Sequence, residues 1–307
     1  MPRRTKSDPL DRANLRLRVG EIFSHAARPM LAPTRAGDSG TVEIDRTLFV
    51  LLDAMRILLT NDDGIGAPGL DAAWRALKEI GEVFVCVPDR PRSACSHQIT
   101  MHKPLRAKTV ETDEGLAYTC NGTPADCVPL ALLQLMSAPP DLVISGINLG
   151  PNLGDDVHYS GTVAGAMEGV LNGYAALAIS LASNSETGGE VPDFDKAANF
   201  LRNFVPKMSQ LELARDTFLN VNVPAGEVRG VRVSTQGSRR YKGDITRHEA
   251  PIAGTYYWRG GIVIDRSERD DSDILAVKDG FISVTPLHVD LTNFDSMNSI
   301  NDVLQTL

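Results

Sequence analysis

Between Arg56 and Val87 two short apolar runs stand on either side of an amphipathic stretch, and no other feature restricts the fold as strongly. The run Arg56-Ile57-Leu58-Leu59-Thr60 ends in a polar loop, the form of a strand buried on both faces of a parallel sheet. Gly69 to Ile80 carries Leu70, Ala73, Trp74 and Leu77 at helical spacing and stops at Gly81. Val83-Phe84-Val85-Cys86-Val87 follows, closed by Pro88. Strand, helix and strand within about thirty residues make a βαβ unit. Such a unit needs helices on both faces of its sheet.

The alternation continues along the chain. Thr123 to Met136 reads as a helix, with Thr123 as cap, Pro124 in the first turn and Asp126 where a capping box wants an acid. Asp141–Ser145 is a third buried strand, Gly161–Leu171 a helix, Ala176–Leu181 a strand, Phe194–Leu213 a long helix and Phe218–Val223 a fifth strand. The expected class is α/β, a Rossmann-like doubly wound, mainly parallel sheet. After Pro224 the texture changes to Gly-punctuated β segments at Val231–Gln236, Tyr256–Arg259, Ile274–Val277 and Phe281–Thr285. These read as C-terminal β-hairpin extensions, and hairpins alone are marginal unless a partner subunit covers them. Ser296 to Leu307 reads as a last helix with Met297, Ile300, Val303 and Leu304 on one face, for packing or for an oligomer contact.

The resulting plan is an N-terminal extension (1–54), a catalytic core (55–230), a hairpin region that returns to the core (231–292) and a C-terminal tail (293–307). The segment Met1–Ala36 holds eight basic residues against three acidic ones and lacks a secretory apolar region. It reads as a poorly ordered extension; an organelle transit peptide, or translation that begins at Met55, are the other readings.

Composition removes several classes. With 42% hydrophobic and 23% charged residues in 307, disorder of the whole chain is excluded. A net charge of −8 argues against a general nucleic-acid coat, duplexes included, but not against a small anionic substrate. No run approaches the eighteen or so apolar residues of a membrane span. The four cysteines (Cys86, Cys95, Cys120, Cys127) form no C-x-x-C pair, which favours neither zinc nor a disulfide framework and points to the cytoplasm.

In open α/β sheets ligands bind beyond the carboxyl ends of the strands, so the loops there are the place to look for chemistry. They read Asn61-Asp62-Asp63-Gly64, Asp89 to Ser96 and Gly146 to Asp156, all polar. Adjacent buried carboxylates repel one another unless a counter-charge stands between them. Asp62 and Asp63, with the Ser93 hydroxyl and the Asn148 amide, offer the oxygen set of a hard cation such as magnesium, manganese or calcium. The competing reading is an Asx-type turn in which Asn61 and Asp63 bond the loop backbone. Tyr159-Ser160-Gly161-Thr162 opens a helix, where first-turn amides and the Ser160 and Thr162 hydroxyls suit a phosphate, or simply cap the helix. Loop donors between Ser93 and Ser96 would add to such an anion site. Trp74, Cys86 and Cys127 read as packing residues; Cys95, His97 and His158 flank the loops, and Asp155 and Asp156 are either supporting groups or solvated.

Several stretches resemble the stationary-phase survival protein SurE family. They are Ile57 to Gly64, Pro88-Asp89-Arg90 with Arg92-Ser93, Gly122 to Val128, Ser145-Gly146-Ile147-Asn148 running on to Gly161-Thr162, and Thr285 to Thr292. The resemblance implies a 5'-nucleotidase, a metal-dependent phosphatase of nucleoside 5'-monophosphates, often of 3'-nucleotides and in some members of polyphosphate. It implies one divalent metal cation per subunit (Mg2+ or Mn2+) held by Asp62, Asp63, Ser93 and Asn148, and phosphate contacts from Ser96, Asn152, Ser160, Gly161 and Thr162. It also implies a homodimer or homotetramer through swapped C-terminal hairpins. His97 stands where the family commonly has Asn, and His158 where an apolar residue is usual.

Hydrolysis would proceed by metal-activated water, with Asp62 or Asp63 as proton acceptor. An aspartyl-phosphate route is disfavoured because Asn61, not Asp, stands two residues before Asp63. The rival readings are a non-catalytic nucleotide-binding module, a nicotinamide enzyme and an interaction protein. Asn61-Asp62-Asp63-Gly64-Ile65-Gly66 is not the G-x-G-x-x-G that the second of these needs.

Overall fold

The computed structural model describes residues 55–183, 192–250, 252, 254–266 and 269–307, so the expected N-terminal extension lies outside the described residues. Strand β1 (Met55–Thr60) sends Ile57 and Leu59 to one face and Leu58 to the other, and all three are fully buried. Helix α1 (Pro68–Lys78) follows, then β2 (Gly81–Pro88), which pairs parallel with β1. Proline opens α1 where its missing N–H costs nothing, and Leu70, Ala73, Trp74 and Leu77 form its buried stripe, as their spacing predicts.

An antiparallel hairpin, β3 (Ala107–Thr112) and β4 (Gly115–Cys120), adds to β2 at one edge. The sequence reading missed it. β3 is mostly exposed, so its run carries little apolar signal. Helix α2 (Pro124–Leu130) is shorter than expected and gives way to a π-turn over Ala131–Leu135. Then come β5 (Leu142–Leu149), a 3-10 turn (Gly154–His158), α3 (Gly161–Leu171), β6 (Ala175–Ala182), α4 (Asp195–Phe204), a second 3-10 segment (Val205–Gln210) and β7 (Thr217–Pro224). The single long helix expected to Leu213 is interrupted where Pro206 removes an amide and crowds the preceding turn.

β8 (Gly230–Val233), β9 (Ser238–Ala250), β10 (Gly254–Arg266), α5 (Asp273–Lys278), β11 (Phe281–His288) and α6 (Phe294–Leu304) complete the chain. Ile274–Val277, expected as a strand, is the helix α5. The Ser272 hydroxyl caps it by accepting the Leu275 amide at 3.3 Å, and so short an apolar run has no period to tell helix from strand.

Nine strands form one sheet in the order β3-β4-β2-β1-β5-β6-β7-β11-β8, parallel from β4 through β7. This is the doubly wound α/β architecture the alternation predicts. α1 packs with α4 over one core, and α2 with α3 over the other, which also takes Cys86, Cys120 and Cys127. β1 has β2 on one side and β5 on the other, so the crevice at their carboxyl ends is the topological switch point. The hairpin β9–β10 pairs over thirteen residues per strand as a separate ribbon. α6 buries none of its residues within the chain, and Met297, Ile300, Val303 and Leu304 stay exposed. No helix among the described residues is long and apolar enough to cross a membrane.

Candidate active site

Asn61, not Asp63, makes the turn after β1. Its Oδ1 accepts the Gly64 amide at 3.1 Å and its Nδ2 donates to the Gly64 carbonyl at 3.2 Å, with Gly64 at φ +85°. That leaves the carboxylates of Asp62 and Asp63 for other work. Asp62 is 5% exposed and accepts the Thr162 hydroxyl at 2.5 Å. Burial pushes its carboxyl up from 3.8 to about 6, with a further upward contribution from Asp63, against the Thr162 bond. Asp63 is also raised by burial, offset in part by the Leu149 amide. Neither acid has an ion-pair partner among the described residues.

The second loop is folded down onto the first. The Arg92 amide donates to the Asp62 carbonyl at 2.7 Å and the Cys95 amide to the Arg92 carbonyl at 3.2 Å. Ser96 donates its amide to the Tyr159 carbonyl at 2.9 Å and its hydroxyl to the His158 carbonyl at 2.6 Å. Ala94 and Ser96 hold φ of 55° and 56°, a conformation that costs side-chain-bearing residues of order 1 kcal/mol or more each. Ser93, just before this segment, lines the cleft.

Asn148 lies within β5 rather than beyond it. The register with β6 slips between Ser145 and Asn148, an irregularity of the kind that re-aims a side chain at a strand end. Its Nδ2 donates to the Gly150 carbonyl at 2.8 Å, which leaves Oδ1 for another partner.

α3 closes the floor. The Ser160 hydroxyl accepts the Val163 amide at 3.0 Å and keeps its own proton to donate. At Gly161 a Cβ would stand 2.8 Å from both Asp62 Cβ and Cys95 Sγ, so glycine is required for the helix to approach the acid. Asn152 is tied down by Nδ2 to the Ser180 hydroxyl at 2.7 Å, and its backbone is bonded by Asn220 and Asn222. The Cys95 thiol is pushed up to about 11 by burial and by Asp62, which makes it a poor nucleophile at neutral pH.

Asp62, Asp63, Ser93, Asn148, Asn152 and Ser160 therefore line one cleft of about 640 Å³, within the range of small-molecule sites. Gly161 and Thr162 lie behind its floor against Asp62, and Ser96 is bound to the segment leading into α3. The four oxygen-bearing side chains fit a hard divalent cation. Two carboxylates without an ion-pair partner among the described residues would supply the charge and two neutral oxygens would complete the set, which would offset the burial cost of the acids. Among the described residues no group of three His, Cys, Asp or Glu side chains could hold a metal ion, so an ion in this cleft would depend on the neutral donors.

The survival protein SurE family model matches residues 57–243 of this chain. The chain belongs to the SurE family. It is 46% identical over 255 residues to the 5'-nucleotidase SurE of Pelotomaculum thermopropionicum, covering 82% of this chain and 96% of that protein. It is 48% identical over 259 residues to the 5'-nucleotidase SurE of Moorella thermoacetica, covering 82% and 97%. The crystal structure of the SurE protein from Aquifex aeolicus superposes with a TM-score of 0.69 at 40% identity, covering 81% of this chain and 99% of that one.

Within this SurE chain the sequence reading missed one wall of the cleft: Tyr241, Gly243, Arg259 and Gly260 of the hairpin, with Leu149, Pro151 and Tyr159 beside them. Nothing in the spacing of 231–266 marks which side of a hairpin faces a site built from residues 62–160. The one available clue was Asp155-Asp156, whose role is now visible. Asp155 accepts the Arg239 amide at 2.9 Å, and Asp156 accepts the Tyr241 hydroxyl at 2.7 Å and Arg239 Nη1 at 3.1 Å. Asp273, fully buried, accepts the amides of Gly154, Gly237 and Ile274. These acids clamp the root of the hairpin to the turn that leads into α3.

Proposed function

We propose that this chain is a metal-dependent 5'-nucleotidase that hydrolyses nucleoside 5'-monophosphates to nucleoside and inorganic phosphate. The observation that carries the reading is the pair Asp62, buried, and Asp63, half-buried, neither ion-paired among the described residues, in one cleft with Ser93 and Asn148. The 5'-nucleotidase names of relatives at 44–48% identity support it.

Asp62, Asp63, Ser93 and Asn148 would hold one magnesium or manganese ion. A bound dication supplies polarisation of a phosphoryl oxygen and acidification of a water. The residues of the chain do the rest. The Ser160 hydroxyl and the positive end of α3 hold phosphoryl oxygens, where negative charge grows in the transition state. Ser96, Asn152 and Thr162 act through the geometry they fix, since each already spends a side-chain donor within the chain. Asp63, less committed than Asp62, accepts the proton of the attacking water.

Because these contacts grip a phosphoryl group and not a base, the reading extends to 3'-nucleotides and to polyphosphate. The long hairpin and the exposed apolar face of α6 support a homodimer or homotetramer. We assign the cytoplasm on cysteine usage alone.

The test is release of inorganic phosphate from AMP, GMP and polyphosphate with manganese, with magnesium and with EDTA. Turnover that needs the cation is expected; equal turnover in EDTA overturns the proposal.

A further inference from the structure

We propose that the β9–β10 hairpin is part of the substrate site and that Arg259 binds the nucleoside half of the nucleotide. This rests on the nucleotidase reading above. Arg259 lines the same cleft as Asp62, Asp63, Ser93 and Asn148. Among the described residues lining that cleft, its charged neighbours are all acids: Asp62, Asp63 and Asp156. Asp156 is engaged by Arg239 and Tyr241, whereas Arg259 has no ion-pair partner among the described residues. A cation held without a partner at the edge of an acidic cleft is available for a ligand.

Depth assigns the half of the substrate it meets. The floor residues Asp62, Asn152 and Ser160 are 5–7% exposed, whereas Arg259 is exposed, so it stands at the mouth. A phosphate ester seated at the floor must project its nucleoside towards that mouth. Exposed apolar groups wait there, Leu149 at 37% and Tyr159 at 51% exposure, as a surface for the flat base. A guanidinium is planar and weakly hydrated, so it stacks on an aromatic face and offers in-plane donors to ring acceptors, which an ammonium does not.

The wall is also positioned rather than loose. Asp155, Asp156 and Asp273 bond the hairpin root to the Gly154–His158 turn, and that turn leads directly into Ser160. Gly243 and Gly260 leave the cleft open beside Arg259 because neither brings a side chain.

The experiment compares Arg259→Ala and Arg259→Lys with the wild type on AMP and on β-glycerophosphate, which has neither a nucleoside nor an aromatic ring. The Kd of AMP is measured in parallel by calorimetry on EDTA-treated protein, where turnover plays no part. KM and Kd for AMP are expected to rise about tenfold in both variants, with kcat within about twofold and β-glycerophosphate kinetics unchanged. Equal losses on both substrates would assign Arg259 to the phosphate and overturn the proposal, as would unchanged AMP binding. A wild type inactive on AMP would instead defeat the nucleotidase reading itself.

Discussion

Thr162 donates its hydroxyl to the Asp62 carboxylate at 2.5 Å across 100 residues of chain. The bond joins the loop after β1 to the first turn of α3, and it is the largest of the influences that favour the charged form of this buried acid. Thr162→Val keeps the shape and removes the donor. A hydrogen bond to a charged group contributes about 1.5–3 kcal/mol, so kcat/KM for AMP should fall about tenfold to a hundredfold while the fold persists. Thr162→Ser should recover most of that loss, measured by steady-state kinetics alongside circular dichroism.

Asp62 also predicts a pH dependence of stability. The folded carboxyl, raised from 3.8 to about 6, keeps a proton that the unfolded chain has released between those values. The unfolded state then binds fewer protons, so the free energy of unfolding falls as pH rises through that window. In EDTA, Asp62→Asn should abolish a fall of about 2 kcal/mol between pH 4 and pH 7.5, read by urea unfolding. Manganese at a hundredfold excess over its Kd should restore about 2.7 kcal/mol to the wild type at pH 7.5, and far less to the variant.

Gly161 tests the approach of α3 to the acid. A Cβ there falls 2.8 Å from Asp62 Cβ and Cys95 Sγ, so one of them must move. Gly161→Ala should lower kcat/KM about a hundredfold, the scale set by a displacement near 1 Å, and cost about 1–3 kcal/mol of stability. Wild-type kinetics in this variant would mean that Asp62 tolerates displacement.

Asp126 separates stability from catalysis. It is buried and accepts the Thr123 amide at 2.9 Å, the Thr100 amide at 2.8 Å and the Thr100 hydroxyl at 2.7 Å, but it lies outside the cleft. Asp126→Ala strands those donors and should lower stability by about 3 kcal/mol or more in denaturant titration. The kcat of the folded fraction should stay within a few fold of the wild type.

The core was legible because β1, β2, β5 and β6 are covered on both faces, which makes each a largely apolar run with a polar loop at its end. The clustering of Asp62, Asp63, Ser93 and Asn148 followed from the rule that those loops converge. The edge hairpin β3–β4 escaped because an exposed strand needs no apolar pattern, and α5 was misread because a run as short as Ile274–Val277 fits either period. Arg259 was invisible for a different reason. Its place in the cleft depends on how Asp155, Asp156 and Asp273 seat a distant ribbon, and that geometry leaves no periodic trace.

On the proposed reading, Asp62 and Asp63 are held ready for a cation that hydrolysis requires. Manganese binding by calorimetry and phosphate release from AMP, measured together on the wild type and Asp63→Asn, test it most directly. A single ion per wild-type chain is expected, with binding and turnover both lost in the variant. Undiminished turnover in Asp63→Asn, or in wild type stripped of metal, would contradict it.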